Sequence, residues 1–287
     1  MVSTEGGVPL KCGMSFFQSL ILGIVQGFTE FIPISSTAHL ILVPWLLGWK
    51  FDPKVAFVFE VLLQLGTVAA VIAYFWKDLT EIARAILSGL LERRPLATEN
   101  ARLGWLIVLA TVPAVLVGLA FKPFFESLHR NPIVVAGILT LGAALIVVTE
   151  KIGRRSRGLE SITWRDALVI GASQSLALLP GVSRSAATIC GGMLCHLERP
   201  SAARFSFLMS IPILIAAAAV AVKDLVELPG FAAYLPPLAA GFVASAIVGF
   251  ASIHWLLSYL ARHPMNVFAW YRLLIGTGCF LLYAFRT

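Results

Sequence analysis

Long apolar runs alternate with short polar breaks along this chain, and the run lengths carry the first structural information. Charge-poor stretches near residues 55 to 76, 103 to 121, 133 to 150, 205 to 222, 237 to 260 and 266 to 285 each approach the roughly 20 residues that a bilayer-spanning helix needs. They predict six transmembrane helices. Two further apolar stretches, 15 to 47 and 166 to 195, exceed one span, and each is interrupted near its middle by Pro and Ser: Pro33-Ile34-Ser35-Ser36 and Pro180-Gly181-Val182-Ser183. Each predicts a re-entrant pair of half-helices around a kink.

Sliding the chain against itself at an offset of 148 residues pairs Gly23 with Gly171, Gln26 with Gln174, Ser35 with Ser183, Phe57 with Phe205 and Phe59 with Phe207. Matches between apolar residues come easily, but the Gln and Ser matches fall inside the two broken stretches, where polar residues are costly. The pattern predicts an ungapped duplication: a tail at 1–14, a first repeat at 15–150, a basic linker at 151–165 and a second repeat at 166–287, together one membrane domain. Each repeat supplies one re-entrant pair and three spans. An odd number of crossings inverts the second repeat relative to the first, an arrangement that in membranes builds sites from broken helices near the midplane.

Composition agrees. At 59% hydrophobic and 13% charged, the 287 residues depart from a soluble domain, and the +7 balance is read by location instead of as a nucleic-acid footprint. Loops 77 to 102, 151 to 165, 196 to 204 and 261 to 265 share one face in this topology and hold 13 of the 22 Lys and Arg, which makes that face cytoplasmic. No nucleic-acid partner is expected; the bilayer is. Cys12, Cys190, Cys195 and Cys279 lack metal-ligand spacing and read as small apolar residues. The opening residues carry no basic region or small-residue cleavage site of a secretory signal and read as a frayed tail.

Few ionisable residues lie in the apolar stretches: Glu30, His39, Glu60, Arg184, His254 and Arg272, with Asp166 near a segment start. Charge at membrane depth costs at least about 2.5 kcal/mol, so each needs a partner or a function. Arg272, six residues into its run, reads as snorkelling to the cytoplasmic surface, His254 as a neutral helix residue, and Glu60 with Gln64 either as a structural pair or as part of a site. In the first broken stretch Gln26 and Glu30 share a helix face, Pro33 halts the helix, and Ser35 stands at the N-cap of the next half-helix, whose amides and dipole face the kink. Ser36, Thr37 and His39 follow. Hydroxyl, imidazole and carboxylate thus converge, the composition that activates a nucleophile; the same residues would also serve as caps and satisfied polar groups. The second stretch supplies Gly181, Ser183, Arg184 and Ser185, a glycine turn with hydroxyls and a guanidinium at a helix start, suited to phosphate oxygens. If the two tips meet, Arg184 faces Glu30 and His39.

The stretches QGFTEFIPISSTAH at 26 to 39 and PGVSRSAAT at 180 to 188 resemble the two signature regions of the bacterial undecaprenyl pyrophosphate phosphatases, the bacitracin resistance protein BacA family, and the likeness extends over essentially the whole chain. The resemblance implies an all-α polytopic membrane enzyme of inverted-repeat fold in the bacterial inner membrane. Its implied reaction is hydrolysis of C55 lipid pyrophosphate to the monophosphate carrier of peptidoglycan and envelope polymer synthesis, at a site open to the periplasm. The family's Glu/Gln-xxx-Glu motif falls on Gln26 and Glu30, its Ser-Ser-Thr-x-His on Ser35, Ser36, Thr37 and His39, and its PGxSRS on Gly181, Ser183, Arg184 and Ser185. Gln26 is the uncharged variant and cannot act as a base. Ala38 and Ala186 stand where many relatives have Gly.

The expected mechanism has Ser36 attacking the distal phosphorus while His39 handles its proton, oriented by Glu30, with Arg184, Ser183, Ser185, Thr37, Ser35, Gln26 and amides near Gly181 around the pyrophosphate. Attack by His39 or by water is the alternative. A divalent cation, Mg²⁺ or Ca²⁺, is expected to bridge Glu30 and phosphate oxygens. A secondary transporter or flippase of an anionic lipid would use the same architecture. The partner is a polyprenyl pyrophosphate lipid, and the small-residue run Ala216 to Ala219 offers a face on which a homodimer could form.

Overall fold

The computed structural model describes residues 14–128, 131–226 and 235–286. The tail expected at 1–14 therefore lies, all but Met14, outside the described residues. Among the described residues twelve α-helices and one short 3-10 turn (Leu159–Ser161) follow one another, and the only β pairing there is an isolated bridge between Arg157 and Leu197. The protein is an all-α, multi-pass membrane protein. Among the described residues, five helices are long and apolar enough to cross a bilayer: α5 (Glu99–Ala120), α7 (Pro132–Ile152), α10 (Arg199–Val226, through Ala217), α11 (Leu235–Leu260) and α12 (Asn266–Arg286). A sixth comes from α3 (Pro53–Tyr74) taken together with α4 (Trp76–Leu91), which is bent from it by 75°.

The two interrupted stretches form helical hairpins, α1 (Phe16–Phe31) with α2 (Ser36–Leu47), and α8 (Trp164–Leu176) with α9 (Arg184–Leu194). Local chemistry sets their ends. Ser15 and Gln18 close a capping box at the start of α1, and Thr163 with Asp166 does the same for α8. Beyond Pro33, Ser35 adopts φ 76° and caps α2 through the Ala38 amide; Ser183, at φ 73°, caps α9 through Ala186. Non-glycine residues rarely hold this backbone region, so its repetition 148 residues apart marks both tips as built geometry. Gly181, at φ +108°, packs so close to α7 that a Cβ would press into the backbone of Val135 and Leu139.

Each hairpin is held by a helix of the other half: α1 packs on α11, α8 on α5, and α3 lies against α10. Gly23 and Gly171 sit at the two close approaches, facing the backbones of Gly241 and Ala110. Those two partners are 131 residues apart, not 148, so the match between halves runs without a gap only as far as α10. The difference lies in α4, for which the second half has no separate helix among the described residues. The polar loop expected over 77 to 102 is in fact largely this helix. Its Leu79, Ile82 and Ile86, at helical spacing, pack into the main core beside Leu103 and Leu106 of α5, which the search for long apolar runs could not register.

Candidate active site

The hairpin tips meet inside the bundle. Pro33 and Ser35 end one helix and start the next within four residues, which turns Glu30 at the end of α1 back toward Ser36 at the start of α2. Ser36 Oγ donates to Glu30 Oε2 at 2.7 Å, and Gln26 Nε2 donates to the same oxygen at 2.9 Å. From the other hairpin, Arg184 Nη2 reaches Glu30 Oε1 at 3.0 Å. This ion pair is almost entirely enclosed, with side-chain exposures of 13% for Arg184 and 5% for Glu30. A buried pair seldom outcompetes apolar packing in stability, so its retention points toward function.

The remaining expected residues arrange themselves around this pair. Ser35 and Ser183 are committed as caps, while Ser183 and Ser185 share a hydrogen bond and Ser185 Oγ donates to the Ile32 carbonyl across the hairpins. Thr37 lines the same cavity as Glu30, Ser36, Gly181, Ser183 and Arg184, which encloses about 230 Å³. The Ala38 and Ala186 amides are taken by the capping serines, and the amides before them in α2 and α9 have no acceptor within their own helices, which leaves two positive dipole ends at this space. Of the Glu60 and Gln64 pair, Gln64 lines this cavity, while Glu60 lines a neighbouring one with Leu22, Leu40 and Trp45 and interacts with the Thr37 hydroxyl.

His39 departs from expectation. It does not face Ser36: its Nδ1 donates to the Ser35 carbonyl at 2.7 Å, which leaves Nε2 to accept from the Tyr271 hydroxyl at 2.8 Å, and the two rings stack. The group that accepts the Ser36 hydrogen bond is Glu30. Nor does Arg272 snorkel. It is fully buried and donates to the carbonyls of Pro33, Gly181, Val182 and Leu139, joining the turns of both hairpins to α7. Depth counted from a helix start cannot show which way a side chain points. Tyr271 and Arg272 were missed as site residues for that reason, although an arginine inside an apolar run was itself a signal. His254 contacts the Tyr74 hydroxyl at 3.4 Å. Cys190 and Cys279 are buried free thiols, and Cys195 is half-buried.

Fold and site together define a polytopic membrane protein with a cavity between two half-helix starts, lined by a guanidinium and by a hydroxyl hydrogen-bonded to a carboxylate. The chain belongs to the bacitracin resistance protein BacA family, whose profile matches residues 19–278. An undecaprenyl-diphosphatase of Chlorobium limicola is 45% identical over 282 residues, covering 94% of this chain and 98% of its own. Undecaprenyl-diphosphatases of Chlorobaculum tepidum (43%, 94% and 97%) and Chlorobium phaeovibrioides (44%, 94% and 97%) are similarly close.

Proposed function

We propose that the protein hydrolyses undecaprenyl pyrophosphate to undecaprenyl phosphate and inorganic phosphate, with Ser36 as nucleophile and Glu30 as its base. The observation that carries the assignment of roles is the 2.7 Å hydrogen bond from Ser36 to a carboxylate whose other oxygen is held by Arg184. Phosphoryl transfer asks the protein mainly for positioning and for neutralisation of charge on the transferring oxygens. Arg184 and the uncapped amides at the starts of α2 and α9, those of Ser36, Thr37 and Ser185, bind the terminal phosphate. The Ser36 Oγ–P bond forms as the bridging P–O bond breaks, the proton passes from Oγ to Glu30, and undecaprenyl phosphate departs with the bonding electron pair. Glu30 passes that proton to the departing undecaprenyl phosphate and is a carboxylate again. It then takes a proton from water as the water oxygen bonds to phosphorus, and returns it to Ser36 Oγ as the Oγ–P bond breaks. His39, tied by both ring nitrogens, positions the start of α2 through Ser35.

A hard divalent cation fits the oxygen-only donors at the first tip, and the buried Gln26 Oε1 lacks a hydrogen-bond partner there. Glu30 and Gln26 would hold Mg²⁺ or Ca²⁺, with the substrate supplying most ligands, since no three His, Cys, Asp or Glu converge among the described residues. Bound there, the ion would neutralise pyrophosphate charge. The cavity opens on the periplasmic side of a bacterial inner membrane in this reading. Support comes from its lining: Ala114 and Ala217 lie in the halves of α5 and α10 remote from the basic loops. A homodimer through the small-residue face of α10 is a further element of the proposal.

Phosphate release from C55 pyrophosphate by purified protein tests the assignment. Ser36→Ala is expected to lower kcat by about 10³-fold and Glu30→Gln by about 10²-fold or more, with the fold intact by circular dichroism. Near-normal turnover by Ser36→Ala would remove the serine from its role and leave direct attack by water.

A further inference from the structure

The internal duplication pairs Gln26 with Gln174, yet the two side chains have different fates. Gln26 Nε2 is engaged by Glu30, four residues later on its helix. At the equivalent position after Gln174 the chain carries Leu178, which offers the amide nothing. Gln174 is 2% exposed, and neither its Oε1 nor its Nε2 has a hydrogen-bond partner. Its side chain lines the same 230 Å³ cavity as Arg184, Ser183, Glu30 and Ser36. A buried carboxamide with both ends unpaired is a standing cost to the fold unless something entering the cavity satisfies it.

We infer that Gln174 is a substrate-binding residue that closes the second-hairpin side of the pyrophosphate site, an inference that rests on the function proposed above. Its Nε2 donates to a non-bridging phosphate oxygen, and its Oε1 accepts from a protonated phosphate oxygen or from ordered water between the phosphates. A neutral donor suits this position: Arg184 already supplies formal charge, and a carboxamide adds a directed hydrogen bond without trapping the monophosphate product through a second cation. Of the two glutamines, Gln26 holds the base and Gln174 remains free for the ligand.

The two consequences of this role pull in opposite directions, which makes it testable. Gln174→Met keeps the volume and removes both unpaired polar atoms, so in detergent without substrate the protein is expected to melt at least as high as the parent. For C55 pyrophosphate the same variant is expected to raise KM about tenfold with kcat within threefold, and to weaken competitive inhibition by inorganic pyrophosphate in parallel. Gln174→Glu, bringing a carboxylate to face phosphate, is expected to raise KM further and serves if the Met variant fails to fold. KM and pyrophosphate inhibition within twofold of the parent in a folded variant would overturn the inference. So would a lowered melting temperature with unchanged KM, the mark of a purely structural amide. Should the parent release no phosphate from the lipid while inorganic pyrophosphate still binds in a Gln174-dependent way, the proposed function fails and this site survives it.

Discussion

At the scale of single residues, the site is a competition for hydrogen bonds that two carboxylate oxygens decide. Glu30 takes Gln26 and Ser36 on one oxygen and Arg184 on the other, which leaves His39 to Tyr271. The ionisable residues gathered at the hairpin tips were visible in the sequence because each is expensive inside an apolar run. Their pairing was not. Tyr271 stands 232 positions beyond His39, and nothing local distinguishes a tyrosine in a membrane helix from an interfacial anchor. Since Tyr271 touches the imidazole and not Ser36, Tyr271→Phe is expected to lower kcat only about three- to tenfold, far less than Ser36→Ala, with KM little changed. Single-turnover phosphate release across the two variants checks the ranking.

Elements show why those residues meet. A proline, a serine held at positive φ and a short half-helix occur once in each hairpin, and this repetition could be read directly from the interrupted apolar runs. The element that joins the tips could not. Arg272 reaches four main-chain carbonyls from α12, two of them in the second turn, one in the first and one on α7. A lysine ammonium has three donors on a compact head and cannot span that spread. Arg272→Lys is therefore expected to lower stability by about 3 kcal/mol or more through orphaned buried carbonyls, and to reduce activity without touching substrate. Thermal melting in detergent, beside the turnover of the surviving folded fraction, measures both effects. A melting temperature equal to the parent's would show that the clamp is dispensable.

For the whole molecule, hydrophobic run length foretold the class: six spans and two longer broken stretches were expected, and among the described residues five helices, or six with the bent pair, are long and apolar enough to cross. Amphipathic α4 escaped because half of its surface is polar and only packing on α5 reveals its other face. Polar ties beyond the site gather on the basic face, where Glu150 receives Arg155 and Arg199, and Asp78 of α4 pairs with Arg204 of α10. In a background with the native cysteines replaced, Ser156→Cys is expected to react with an impermeant thiol reagent only from the cytoplasmic side, and Lys50→Cys only from the opposite side. Both positions are exposed. Reaction of the two from the same side would break the topology on which the periplasmic opening rests. The guanidinium of Arg272 grips peptide oxygens alone, so the identity of the side chains carried on either loop is irrelevant to the grip. Such a frame tolerates replacement of its working heads, which means a descendant could exchange one chemistry for another at the crossing point while inheriting the scaffold intact.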